Sequence, residues 1–143
     1  MLEMNDLGRL TYFLGMEINQ PKQGYYLCQK RFTVKLLNKF VMGNCNSVST
    51  PMVLGQKLTG EDESPKADGR TYRSLLGSLL YLTTTCPDIV FDVNYISRFM
   101  QKSSQLHFAA TKRVLRYLRE TLEFDIHFEK SNLPKLIGFI DSD

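Results

Sequence analysis

The sequence predicts an α+β chain, mostly helical, with a β-hairpin at each end. Three observations predict this class. Strand-like runs occupy residues 12–28 and 124–140. Between them, apolar residues recur at helical spacing. Gly and Pro punctuate the chain wherever the period changes. With 43% of its 143 residues hydrophobic and 23% charged, the chain has the composition of a folded domain with a real core.

Each element has a local reason. Tyr12-Phe13-Leu14-Gly15-Met16-Glu17-Ile18 reads as one strand. Asn19 to Gly24 is a polar break that holds Pro21, and Tyr25-Tyr26-Leu27-Cys28 resumes the strand, a hairpin with a longer loop. From Gln29 to Met42, Phe32, Leu36, Leu37, Phe40 and Val41 fall on one helical face, and Gly43-Asn44 stops the helix. Residues 43–70 carry Pro51, Gly55, Gly60, Pro65 and Gly69 without a sustained period, so a long irregular connection is expected. Thr71 to Thr85 is apolar on two sides and reads as a buried central helix, with Gly77 making room for a close neighbour. Cys86-Pro87-Asp88 restarts a helix, with Pro at its first position and an early acid at the positive end of the dipole. Its stripe is Ile89, Val93, Ile96 and Met100, and Ser103-Ser104-Gln105 breaks it. A last helix spans Leu106 to Arg119, with Ala110, Val114 and Tyr117 or Leu118 inward. Phe124 to Phe128 alternates, Ser131 to Pro134 turns, and a closing strand leads to Asp141-Ser142-Asp143, a hairpin that begins a new sheet. Three parts follow: residues 1–28, residues 29–121 and residues 122–143.

Composition narrows the function classes. No apolar run approaches the roughly 20 residues that span a bilayer, and no basic-then-apolar leader opens the chain. The expectation is an intracellular protein with no membrane partner. Cys28, Cys45 and Cys86 are odd in number and widely spaced, the pattern of reduced thiols rather than a disulfide or zinc framework. His107 and His127 lack an acid or thiol at ligand spacing, and neither a nucleophile elbow nor a glycine-rich phosphate loop is present.

Two features carry chemistry. Arg98, Lys102, Lys112, Arg113, Arg116 and Arg119 follow one another with no acid between Arg98 and Arg119. Lys112, Arg116 and Arg119 share one helical face. Such a ridge is either a solvated face or a track for a phosphate backbone. Asp141 and Asp143 project from one side of a strand, as the first carboxylates of a divalent-metal site do, although hard cations want six or more oxygens. Tyr12, Phe13 and Tyr25-Tyr26 are either half-buried strand residues or stacking platforms for bases.

A longer series of motifs stands in order: Asp6-Leu7-Gly8, the run Tyr12 to Ile18, Thr50-Pro51, the run Tyr72 to Thr83, Pro87-Asp88-Ile89, Ser97-Arg98-Phe99-Met100, His107, the run Ala110 to Leu118, and Asp141-Ser142-Asp143. The series resembles the Pol polyprotein of copia-type LTR retrotransposons, from late in the reverse transcriptase palm to the opening of ribonuclease H. The resemblance covers nearly the whole chain.

It implies that residues 1–28 end the palm with a primer-grip hairpin, that residues 29–121 form a thumb-like helical bundle and the region beyond it, and that residues 122–143 open a truncated ribonuclease H domain. It places Tyr12, Phe13, Leu14, Gly15, Lys112, Arg113, Arg116 and Arg119 against an RNA–DNA or DNA duplex of template and primer. Asp141 matches the first catalytic, Mg2+-holding aspartate of ribonuclease H. The family's Tyr-x-Asp-Asp turn lies N-terminal to the matched stretch, and this chain contains no Asp-Asp pair. Cys86 stands where the family usually has Arg, and Arg119-Glu120 replaces a common Lys-Gly. The chain also ends before the Trp-Ala-Gly that usually follows. The expectation is a reverse transcriptase segment that contributes template–primer binding, is inactive alone, binds no cofactor by itself (Mg2+ serves the intact polyprotein) and pairs with the missing palm, fingers and ribonuclease H segments. The alternatives are a retained nucleic-acid-binding module and a degenerate reading frame with no activity.

Overall fold

A computed structural model describes residues 8–130. Strand β1 (Tyr12–Phe13) turns directly into β2 (Met16–Asn19), and β3 (Gly24–Cys28) follows. Helix α1 spans Lys30–Lys39, α2 Gly69–Leu82, α3 Val90–Ser97 and α4 Gln105–Glu120, and β4 (Ile126–Glu129) comes last. The α+β class expected from the sequence is the class observed.

The core is helical. It comprises Leu36 and Leu37 of α1, five residues of α2 from Tyr72 to Leu82, Ile89, Val93 and Ile96 around α3, and Ala110, Val114, Leu115 and Leu118 of α4, joined by Leu58 from the connection between α1 and α2. Each fully buried aliphatic side chain contributes roughly 1.5–3 kcal/mol. Helix α2 is apolar on two sides because α3 and α4 both pack on it, and α4 also packs on α1. The Tyr72 hydroxyl, buried inside this core, donates to the Ile96 carbonyl at 2.9 Å. Burial pushes its pKa up to about 12.

The helix ends follow capping chemistry. Asp68 accepts the N–H groups of Arg70 and Thr71 at the start of α2. Pro87 opens a single 3-10 turn, Pro87–Ile89, that leads into α3. Helix α1 lacks a cap of its own. Glu17 reaches across from β2 instead, accepting the Arg31 N–H at 2.8 Å and pairing with the Arg31 guanidinium at 3.3 Å. A carboxylate there also meets the positive end of the helix dipole.

The sheet differs from the sequence expectation in two places. Tyr12 to Ile18 is two strands, not one. Tyr12 pairs with Glu17 and Phe13 with Met16, so Leu14 and Gly15 form a two-residue turn. Both have positive φ, 48° and 81°, as a type I′ turn requires. Leucine rarely accepts that conformation, and its apolar character hid the turn in an apolar run. The second difference is β4. It begins no separate sheet; it pairs antiparallel with β3, Leu27 against Ile126 and Tyr25 against Phe128, in a four-stranded order β1-β2-β3-β4. The expected partner strand beyond Ser131 lies outside the described residues. Among the described residues, no strand residue is part of the buried core.

Gly77 also departs from expectation. A Cβ there would meet nothing within 4 Å, so the residue faces outward and makes no room for a neighbour. Gly15 is the opposite case, because a Cβ on it would run into the Tyr81 hydroxyl. Gly77→Ala is therefore expected to stabilise the chain by about 0.5–1 kcal/mol. Gly15→Ala is expected to cost roughly 1–3 kcal/mol. Urea denaturation of the two variants checks both signs, and equal midpoints for the pair would remove the argument.

Candidate nucleic-acid interface

The β1–β2 turn is exposed yet anchored. Tyr12 is 53%, Phe13 50% and Leu14 70% exposed. Behind them, the Tyr81 hydroxyl of α2 donates to the Leu14 carbonyl. The Tyr81 ring stands edge-on to Phe32 of α1, centroids 4.8 Å apart. The strained turn is thus tied to the helical core while its apolar side chains stay outside. Expected site residues Tyr12, Phe13, Leu14 and Gly15 are together at this tip.

The basic ridge has a different setting. Residues 40–68 form a strap without helix or strand, with a single isolated β-bridge between Lys66 and Ser104. The strap runs antiparallel to α4. Arg119 donates to the Cys45 carbonyl, Arg116 Nε to the Asn46 carbonyl at 2.7 Å, and Arg113 Nη2 to the Thr50 hydroxyl at 3.0 Å. Further along, Leu58 is buried in the core, and its N–H donates to the Tyr95 hydroxyl at 3.0 Å. Lys112 lies over the Phe108 ring at 4.7 Å. So the structure brings Lys112, Arg113, Arg116 and Arg119 together, half-buried, with three of them holding the strap. Among the described residues none of these four forms an ion pair with a carboxylate.

The far end of the strap is held by a cluster the sequence reading did not identify. Ser104 caps α4 in a capping box whose third member is His107 in place of the usual Glu or Gln. The Ser104 N–H donates to His107 Nδ1 at 3.0 Å, and the Ser104 hydroxyl donates to Asp62 Oδ2 at 2.6 Å. That acceptor role assigns the ring proton to Nε2, which stands 3.7 Å from Asp62. Phe99 stacks on the imidazole at 4.1 Å. These serine and Ser64 hydrogen bonds hold the Asp62 carboxyl below the usual carboxylate range. The three residue types are those of a hydrolase triad, but the hydroxyl proton points at the carboxylate and the imidazole base is filled by a backbone N–H. The cluster is a clasp, not a nucleophile. Ser-x-x-His at a helix start was the available signal, and its Asp62 partner is distant in sequence.

Asp141 and Asp143 lie outside the described residues. Among the described residues no three His, Cys, Asp or Glu side chains gather to hold a metal ion, so no Mg2+ chemistry is assigned to them. No described helix is long and apolar enough to cross a membrane.

A family model for reverse transcriptase (RNA-dependent DNA polymerase) matches residues 1–54, a stretch that includes β1 to α1 and the start of the strap. The retrovirus-related Pol polyprotein from transposon RE2 of Arabidopsis thaliana is 40% identical over 94% of this chain and 9% of its own length. The retrovirus-related Pol polyprotein from transposon TNT 1-94 of Nicotiana tabacum is 35% identical over 99% of the chain and 11% of its own length. Over nearly all of its length the chain is similar to the Pol polyproteins of copia-type retrotransposons. It spans about a tenth of the length of those Pol polyproteins. An uncharacterized mitochondrial protein of Arabidopsis thaliana is 36% identical over 98% of the chain and 58% of its own length. No solved structure matches. These similarities agree with the resemblance read from the motif series.

The clasp has a pH signature. A carboxylate whose folded-state pKa is depressed contributes stability above its unfolded value and loses it as pH falls through the folded value. Asp62→Asn is expected to lower the denaturation midpoint at neutral pH and to flatten the loss of stability below about pH 4. An unchanged acid limb in that variant would show that Asp62 holds nothing in place.

Proposed function

We propose that this chain supplies template–primer contacts for a copia-type reverse transcriptase and no complete polymerase or ribonuclease H chemistry. The observation that carries the proposal is the exposed aromatic turn at Tyr12 and Phe13, pinned to the helical core by Tyr81 within the stretch that matches the reverse transcriptase family. A rigid, solvent-facing aromatic pair is a stacking platform for a base or sugar. The cations of α4, unmatched by carboxylates, add attraction for a phosphate backbone. In this reading the partners are an RNA–DNA hybrid or DNA duplex and the remaining parts of the polymerase. Nucleotidyl transfer needs paired aspartates around two metal ions, and the sequence contains no Asp-Asp pair.

Fluorescence anisotropy with a labelled RNA–DNA hybrid tests this. Binding is expected to weaken steeply between 50 and 200 mM salt, on the order of tenfold or more. Tyr12→Ala with Phe13→Ala is expected to cost about tenfold at fixed salt. With Mg2+ and nucleotides, primer extension is expected to stay at background. A chain that ignores the hybrid at low salt, or that extends the primer, contradicts the proposal.

A further inference from the structure

We infer that the groove between α4 and the strap is a built oxyanion site that takes a phosphate group. The inference deepens the proposed nucleic-acid contact and rests on that reading only for the source of the phosphate. The groove is a cavity of about 400 Å³ lined by Met42, Val53, Gln56, Lys112, Arg113 and Arg116, among others. Three of these side chains are cations, and no lining residue is acidic. Among the described residues, the acceptors recorded for their polar hydrogens are neutral oxygens of the strap: Thr50 takes one N–H of Arg113, and the Asn46 carbonyl takes one N–H of Arg116.

A guanidinium carries five N–H donors. Among the described residues, most of the donors on Arg113 and Arg116 have no protein acceptor. The clearest is Arg113 Nε, which is buried and has no hydrogen-bond partner. A buried donor left unmatched is costly, more so on a charged group. Uncompensated positive charge drawn together by folding is costlier still. An anion in the adjoining cavity, which both arginines line, offsets that charge. Tetrahedral phosphate suits the geometry, because its oxygens accept from several directions and pair with guanidinium forks two at a time. The apolar walls at Met42 and Val53 narrow the cavity without competing for the charge.

The strap is what turns a basic helix face into a pocket. It holds Arg113 and Arg116 in place through one hydrogen bond each and leaves the rest of each fork for a ligand. Phosphate can come from a nucleic-acid backbone or from a free phosphate, and the same chemistry recognises both.

The test uses the full 143-residue chain, labelled with 15N, and inorganic phosphate as the probe. The Arg113 Nε–H resonance, assigned by its loss in Arg113→Lys, is expected to shift saturably with phosphate and not with chloride at equal ionic strength. Arg113→Lys keeps the charge and removes the guanidinium fork, so it is expected to weaken phosphate roughly ten- to a hundredfold. Lys112→Gln, which leaves the strap's hydrogen bonds intact, is expected to weaken it by less. Competition by an RNA–DNA hybrid assigns the site to backbone phosphate. Saturable phosphate binding that a hybrid does not displace upholds the pocket and counts against the duplex reading. A shift that never saturates, or that chloride reproduces, overturns the pocket. Undiminished hybrid binding by both variants would then leave the duplex reading standing without it.

Discussion

The structure depends on how α4 holds the strap. Ordering the backbone costs about 1–2 kcal/mol per residue, and residues 40–68 place a single leucine, Leu58, in the buried core. They have no helix or sheet ladder to supply hydrogen bonds. The hold comes from outside: three arginines of α4 on the early strap, Leu58 with Tyr95 in the middle, and the Ser104–His107–Asp62 clasp at the end. One helix therefore presents its apolar face to the core and its basic face to a segment of its own chain. The arginine positions have two duties, to order the strap and to carry a concentrated positive charge.

The sheet is attached on a different principle. Among the described residues it shares no buried core with the helices. It is joined by polar pins: Tyr81 on Leu14 and Glu17 on the start of α1. Hydrophobic burial is broad and tolerant, whereas a hydrogen bond fixes distance and direction. Pins of this kind orient the β1–β2 turn relative to the bundle and leave its aromatic side chains free. The tip and the α4 groove are thus both set on the helical bundle, as the proposed duplex contact calls for.

Local chemistry was legible in the sequence, and distant pairing was not. Leu75, Leu76, Leu79 and Leu82 announced a helix buried on two sides, and Pro87 announced its neighbour's start, because both signals lie within a few turns of chain. The absence of period over residues 43–70 correctly marked the strap as irregular. What stayed hidden depends on partners far along the chain. Nothing local joins Asp62 to Ser104, Cys45 to Arg119, or β4 to β3. The Leu14–Gly15 turn was missed for another reason. Its first residue is not among the Asn, Asp or Gly that usually occupy such a turn, and a tyrosine far along the chain holds it in place. The basic ridge was recognised as a feature, but its employment by the strap required seeing both sides of the contact.

The α4 arginines order the strap. Amide hydrogen exchange reads this residue by residue. In the native chain the amides of Cys45, Gln56 and Leu58, each hydrogen-bonded in the structure, should be protected. In Arg116→Gln with Arg119→Gln, Cys45 and Gln56 should exchange about tenfold faster or more, while the amides inside α2 and α3 keep their native rates. Strap amides that already exchange at unprotected rates in the native chain, or that the two substitutions leave unchanged, would contradict the account.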